Sequence, residues 1–242
     1  MLHKAFEILG AISLSKASTI DSISTETGIA RSTVHRILQA LQADGIVQRH
    51  TKQGYLLTPK LLSIGLRGMA EREMLDVAIP VMRVLSENTK ETVSLNVLSG
   101  YERVCIYCIE GSQPITRNIP IGSNGPLFRG SAGKVIASGL SGAERLRVLD
   151  YYVRKNVFHQ ENVQGLLQDV ERVGQQGYAI SRGERIPGSA SVAVPLKDVM
   201  GNVVASLSVS TLESRLTPES KTIYLNHLLE AALQIQQEHC LL

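Results

Sequence analysis

The stretch from Thr19 to His50, TIDSISTETGIARSTVHRILQALQADGIVQRH, constrains the fold more than any other, because a helical period broken by one glycine leaves few ways to pack. Ile20 and Ile23 form the apolar edge of a first short helix, Gly28 ends it in a left-handed conformation, and Ile29 packs in the turn. A second helix is predicted from Arg31. In it Val34, Ile37, Leu38 and Leu41 face a core, while Arg31, Ser32, His35, Arg36 and Gln39 take the opposite side. That outer face combines cations, hydroxyls and an amide, the groups that hydrogen-bond phosphates and base edges, and no carboxylate is expected on it before Asp44. The pair reads as a helix-turn-helix, with Arg31, Ser32, Thr33, His35 and Arg36 at the end that enters a major groove and Gln39 further along.

After Gly45, Ile46 and Val47 begin a strand, residues 49–53 make a polar turn closed by Gly54, and Tyr55-Leu56-Leu57 returns as a second strand. This is a wing, on which Arg49 and Lys52 would lie against phosphates and add affinity without sequence information. Charge agrees with that placement. Up to Lys60 there are seven Lys or Arg against four Asp or Glu, and the whole chain carries +3, so its net positive charge is concentrated in this segment.

The 242 residues suffice for two domains with real cores. A helix from Leu2 to about Leu14, with Leu2, Ala5, Phe6, Leu9 and Ile12 on one stripe, would support the helix pair and leave no N-terminal arm. Lys60 to Glu73 reads as an apolar connecting helix suited to pairing with another subunit, and Leu75 to Asn88 as a second helix containing Pro80. Beyond it the pattern becomes strand-rich: TVSLNVLS, ERVCIYCIE and a weaker PITRNIP, then a glycine-rich loop at 122–130, three helices, three strands at about 178–181, 190–195 and 203–210, and a final helix capped at Thr217. Strands before and after a helical block indicate an α+β domain with an antiparallel sheet. The expected division is residues 1–58, winged helix-turn-helix; 59–74, linker and dimerisation helix; and 75–242, sensor domain.

Other chemistries are poorly supported. No signal peptide opens the chain and no apolar run approaches the roughly 18 residues of a membrane span, so a cytoplasmic protein is expected. Cys105 and Cys108 form a C-x-x-C inside a β-rich run, where residues three apart face opposite ways and could neither chelate a metal nor close a disulfide without a bend. Cys240 has no partner visible in sequence, and His159 stands alone; neither a metal site nor a cofactor is expected. Gly133-Lys134 lacks the first glycine and the Ser or Thr of a phosphate loop. The rival class is an acyl-transfer or hydrolytic enzyme using Ser131 and Lys134, an S-x-x-K without its companion S-D-N and K-T-G elements. No catalytic set is expected.

Five segments in order, ARSTVHRILQALQADGIV, YLLTPKLLSIG, PLFRGSAGKVIAS, GYAISRGERIPGSASVAVPL and VVASLSVSTLESRLTPE, resemble the isocitrate lyase regulator (IclR) family of bacterial transcription factors over nearly the full chain. The resemblance implies a winged helix-turn-helix, a dimerising linker helix and a GAF-like domain binding a small-molecule effector. It also implies homodimers or homotetramers on double-stranded operators near catabolic operons. Carried over, the effector pocket comprises Leu127, Phe128, Arg129, Gly130, Ser131 and Ala132 in a loop, with Ser181, Arg182, Glu184, Ser191, Ser208 and Ser210 from the strand motifs. Ser208 and Ser210 lie two apart in a strand and so share a face, either to bind a ligand or as satisfied serines at a packed interface. Where the commonest pattern has a histidine, an acidic pair and a cysteine, this chain has Phe128, Ser181-Arg182 and Ser191. Arg129 and Arg182 raise a carboxylate effector as an expectation, though either could pair with Glu184 instead.

Overall fold

The computed structural model describes residues 1–15, 18–68 and 72–239, and its contacts divide the chain into two units, Met1–Arg72 and Glu73–Leu242. Each is built around its own core.

In the first unit, helices α1 (Leu2–Leu14), α2 (Ile20–Thr27) and α3 (Arg31–Ala43) precede strands β1 (Val47–His50) and β2 (Gly54–Leu57) and helix α4 (Pro59–Gly68). Thr19 caps α2 by accepting from the Ser22 N–H at 3.2 Å, and Gly28 ends it at φ +68°. Ile8, Ala11, Ile12, Ile23, Ile29, Val34, Ile37, Leu38, Val47 and Tyr55 are the core. The α1 stripe differs from the expected one: Leu2 and Phe6 are exposed, since Phe6 lies nearly opposite Ile8 around the helix, and Ala5, Ile8, Leu9, Ala11 and Ile12 face inward. At Gly54 (φ +81°) a β-carbon would sit 2.4 Å from the Ser18 carbonyl oxygen, because Ser18 bonds the wing on both sides of that glycine, through Gln53 and Tyr55. Lys60 is spent at the end of α3, where its ammonium donates to the Asp44 carbonyl at 2.6 Å. Of the connecting-helix expectation, Met69 lies outside the described residues, as does Cys240.

The second unit continues with α5 (Arg72–Thr89), which runs through Pro80, and strands β3 (Thr92–Ser99), β4 (Glu102–Ile109) and β5 (Asn124–Pro126). There follow α6 (Ser131–Ser138), α7 (Gly142–Arg154), α8 (Val163–Gln176), β6 (Ala179–Arg182), β7 (Ser189–Lys197), β8 (Val203–Leu212) and α9 (Pro218–His239). The six strands form one antiparallel sheet in the order β5-β4-β3-β8-β7-β6. PITRNIP forms no strand; it has a proline at each end, which cannot donate to a ladder, and the edge position is taken by β5 from within the glycine-rich loop.

Register sorts the sheet into two faces. Val93, Leu95, Leu207, Val209, Val192 and Val194 are fully buried on the side of α9. Opposite them runs a lattice of small polar groups: Ser181, Ser191, Ser210 and Thr92 pair across four strands in one row, Ser208 and Ser94 in the next, Ser206 and Asn96 in a third. Helix α6 covers this polar face. Glycine is required where α6 passes the segment that leaves β5: at Gly133 a β-carbon would lie 2.4 Å from the Leu127 carbonyl oxygen.

The polar face also holds the C-x-x-C, contrary to the expected alternation. The β3/β4 ladder skips Ile106, pairing Leu95 with Tyr107 but Asn96 with Cys105. This bulge supplies the bend, so Cys105 and Cys108 fall on one face. The interaction between the two thiols lowers the pKa of Cys105 and, together with burial, raises that of Cys108, and Cys105 Sγ donates to the Tyr107 carbonyl at 3.3 Å.

The buried carboxylate Glu91, just before β3, is held by Arg215 (Nε 2.6 Å, Nη2 2.9 Å) and Thr211 (2.7 Å) on the α9 side. Its bond raises the pKa of Arg215. The ion pair ties the strand pair β3/β8 to the loop before α9.

Candidate functional site

Two surfaces carry concentrated polar chemistry, one in each unit. In the first, a groove between α3 and the wing is lined by Arg31, His35, Arg49 and Lys52, four of the residues singled out from sequence, together with His50, Thr51 and Asp21. The wing turn is ordered by His50, whose Nδ1 accepts from the Lys52 and Gln53 N–H groups, both at 3.3 Å. Ser32, Arg36 and Gln39 are exposed on α3, and Thr33 is half-buried. Arg36 does not line that groove. It borders a second, apolar groove with Met1, Leu2, Ala5 and Ile37. One feature was invisible to the helical period: Asp21 reaches across from α2 to form an ion pair with Arg31, placing a carboxylate on the face expected to lack one.

The second surface is a small cavity of about 40 Å³ between the polar face of the sheet and the start of α6. Gly130, Ser131, Ala132, Ser191, Ser208 and Ser210 line it, as sequence suggested, joined by Ser94, Asn96, Arg103, Ile119 and Arg185. Its polar groups are largely bonded to one another. Arg103 Nη1 donates to Asn96 Oδ1 at 2.7 Å, Asn96 Nδ2 donates to Ser94 Oγ at 3.2 Å, and the Ser94 and Ser208 hydroxyls share a 2.8 Å hydrogen bond. On the other wall the Ser131 hydroxyl donates to that of Ser191 at 2.7 Å.

Charge is the unbalanced quantity. Arg103 is only 2% exposed, yet its Nη2 has no hydrogen-bond partner. Arg185 approaches the same spot: a β-carbon on Gly125 would lie 3.2 Å from Arg185 Nη2 and 3.6 Å from Arg103 Nη2. Arg185 is itself exposed and its Nη2 donates to the Asn124 carbonyl at 3.4 Å; partial burial of the guanidinium lowers its pKa. None of the described lining residues is a carboxylate. Two guanidiniums therefore converge where a bound anion would offset their repulsion and occupy the idle donor.

The remaining sequence-derived positions lie elsewhere. Leu127 and Phe128 are buried in an apolar cluster with Tyr152 and Phe158. Arg129 stacks over the Phe158 ring at 5.1 Å, and Arg182 donates to the Leu216 carbonyl at 2.6 Å, so neither meets the cavity or Glu184. Ser181 is buried in the serine row but outside the lining. Glu184 accepts from the Gly130 N–H at 2.9 Å and from Lys134 at 2.7 Å, clamping the start of α6 to the β6–β7 connection that carries Arg185. Lys134 also approaches Asp169 at 3.4 Å, so its ammonium serves two carboxylates. Ser94 and Asn96, two apart in an apolar strand, were the readable signal for the missed lining. Arg103 and Arg185 carried none, because their convergence depends on pairing β5 against β4.

Comparison with known proteins gives a consistent picture. A family model described as the bacterial transcriptional regulator IclR C-terminal domain matches residues 68–237, and the IclR helix-turn-helix domain matches residues 1–51. The chain is 31% identical over 238 residues to the HTH-type transcriptional regulator KdgR of Escherichia coli, covering 97% of this chain and 90% of that protein. It is 29% identical over 209 residues to the HTH-type transcriptional repressor AllR of the same species, covering 84% and 76%. Among solved structures, IclR of Thermotoga maritima superposes with a TM-score of 0.71 at 26% identity, covering 99% of this chain and 98% of that one. An IclR homologue from Microbacterium hydrocarbonoxydans, complexed with 4-hydroxybenzoate, shares the fold with a TM-score of 0.81 at 20% identity and 98% coverage of both.

Proposed function

The chain belongs to the IclR family of bacterial transcriptional regulators, and from that premise we propose that it is a repressor of a catabolic operon, released or engaged by a small organic acid. Operator contact is assigned to Arg31, Ser32, Thr33, His35, Arg36 and Gln39 of α3 with Arg49 and Lys52 of the wing, and effector contact to the serine-lined cavity. The observation that carries the effector class is the buried, partnerless Nη2 of Arg103 facing Arg185 in a cavity with no described carboxylate. A carboxylate fits a guanidinium fork, and the ring of hydroxyls suits further oxygens on the same molecule. The 4-hydroxybenzoate held by the Microbacterium homologue is also an acid.

In this reading the protein acts as a homodimer or homotetramer. Acid binding changes the relative placement of subunits, and two recognition helices that must sit about one DNA turn apart, or a multiple of it, gain or lose fit. The test is calorimetric titration of a panel of small carboxylic acids into the wild type, Arg103→Met and Arg129→Ala. An acid bound by the wild type and by Arg129→Ala, but at least about tenfold more weakly by Arg103→Met, is expected, since a hydrogen bond to a charged group is worth roughly 1.5–3 kcal/mol. Equal affinity in Arg103→Met overturns the carboxylate assignment. Salt-sensitive binding to the region upstream of its own gene tests the DNA arm separately.

A further inference from the structure

The two arginines of the cavity stand at different depths. Arg103, on β4, is 2% exposed and fixed by Asn96 Oδ1 at 2.7 Å, with its Nη2 unpartnered. Arg185 comes from the connection between β6 and β7, is exposed, and is held by one long hydrogen bond from Nη2 to the Asn124 carbonyl at 3.4 Å. Two glycines clear its path. A β-carbon would lie 3.0 Å from Arg185 Cδ at Gly130 and 3.2 Å from Arg185 Nη2 at Gly125. That Gly125 position is also 3.6 Å from Arg103 Nη2, so the two nitrogens flank a single point. Neither guanidinium forms an ion pair among the described residues: the carboxylates nearest in sequence, Glu102 and Glu184, are bonded to Asn124 Nδ2 (2.7 Å) and to Gly130 and Lys134. At about 40 Å³ the cavity has room for roughly three waters, about the bulk of one carboxylate. A ligand that fills the deep end therefore presents the rest of its length to the mouth, where Arg185 lies.

Resting on the reading of the cavity as an effector site for acids, we infer that Arg185 is its specificity-determining residue and selects a second acidic group, making the effector a short aliphatic dicarboxylate. One carboxylate pairs with Arg103 Nη2 at the deep end, and the other meets the Arg185 fork at the mouth. Two guanidiniums confined near one point repel each other, and a monoanion offsets only one of the charges. With the second carboxylate present, Arg185 exchanges a long bond to a neutral carbonyl for shorter, charge-assisted bonds. The ligand is short because both nitrogens flank the same point, which brings its two acidic ends close together. An aromatic acid is disfavoured on other grounds. Apart from the two arginines the described walls are mostly hydroxyls and one amide, with Ile119 the one large apolar side chain, so a ring buried there would desolvate polar groups without bonding them.

The experiment titrates oxalate, malonate and succinate, and their monoamides oxamate, malonamate and succinamate, into the full chain, Arg185→Met and Arg103→Met by calorimetry at neutral pH. Each monoamide keeps the shape of its parent and drops one charge. Expected is at least one dicarboxylate that the wild type binds about tenfold or more tightly than the matching monoamide, with that preference cut to about twofold or less in Arg185→Met. Arg185→Met should leave the unfolding midpoint unchanged, since the side chain is exposed. Equal affinity of the wild type for the two members of every pair, or a preference that survives in Arg185→Met, would overturn the assignment. If monocarboxylic acids bind and are weakened by Arg103→Met while no dicarboxylate binds, the acid site stands and the dicarboxylate falls. If no acid of either charge distinguishes Arg103→Met from the wild type, the acid site itself falls and the dicarboxylate with it.

Discussion

The outer face of α3 and the cavity face of the sheet are both the polar sides of amphipathic elements, yet one is wet and the other dry. Arg31, Ser32, His35, Arg36 and Gln39 are exposed, whereas Ser94, Asn96, Arg103 and Ser208 are each no more than 2% exposed. On the wet face water replaces any partner that is lost, so side chains act nearly independently. On the dry face the Ser94 and Ser208 hydroxyls, and those of Ser131 and Ser191, are each other's partners, and a deletion strands what remains. The contrast separates two ways of holding polar groups ready: a solvated surface that adapts to a long charged polymer, and a preorganised lattice with a charged donor, Arg103 Nη2, left over for a small ligand.

Asn96→Ala is the sharpest way to break this comparison. It strands Arg103 Nη1 beside the already partnerless Nη2 and should lower stability by about 2–3 kcal/mol in urea unfolding, as expected for an uncompensated buried charged donor. Adding Arg103→Met to Asn96→Ala should restore much of the loss, because the stranded charge is gone; a double variant as unstable as the sum of the two singles would mean that the lattice is not coupled. Next in size is Arg36→Ala. Its stability should change by less than about 0.5 kcal/mol. Operator affinity, by contrast, should fall by about 1–3 kcal/mol if Arg36 reads a base. A stability loss as large as that of Asn96→Ala would erase the wet–dry distinction. Lys52→Ala comes third: binding to specific and nonspecific duplexes should weaken alike, with the salt slope reduced by about 0.9.

The wet face was legible in the sequence because its information is local. A 3.6-residue period in Val34, Ile37, Leu38 and Leu41 predicts which residues of α3 point outward, and Gly28 marks the turn before it. The dry face was half legible. Alternation in LSVS places Ser208 and Ser210 together, but the lattice is made by register across β3, β8, β7 and β6, which no single strand encodes. The same holds for the arginines: those nearest in sequence to the serine motifs, Arg129 and Arg182, go to a phenylalanine ring and a carbonyl, while Arg103 and Arg185 arrive from other strands and loops. At Cys105 and Cys108 strict alternation gave the opposite face from the real one, since a bulge alters the count by one without a signature in residue type.

The smallest expected effect tests the one carboxylate on the wet face. Asp21 pairs with Arg31, and both are largely exposed, with side chains 63% and 71% accessible. Such a pair contributes little to stability, so Asp21→Asn should shift the unfolding midpoint negligibly. It should nonetheless change binding. Arg31 begins α3 and shares its groove with His35, Arg49 and Lys52, so on a duplex Asp21 would sit among phosphates and compete for the guanidinium. Removing its charge should strengthen nonspecific binding severalfold at low salt and steepen the salt dependence by up to about one phosphate contact. Asp21→Asn that weakens binding instead would show that Asp21 holds Arg31 in its DNA-contacting pose; the wet face would then be preorganised by its partners, as the dry one is.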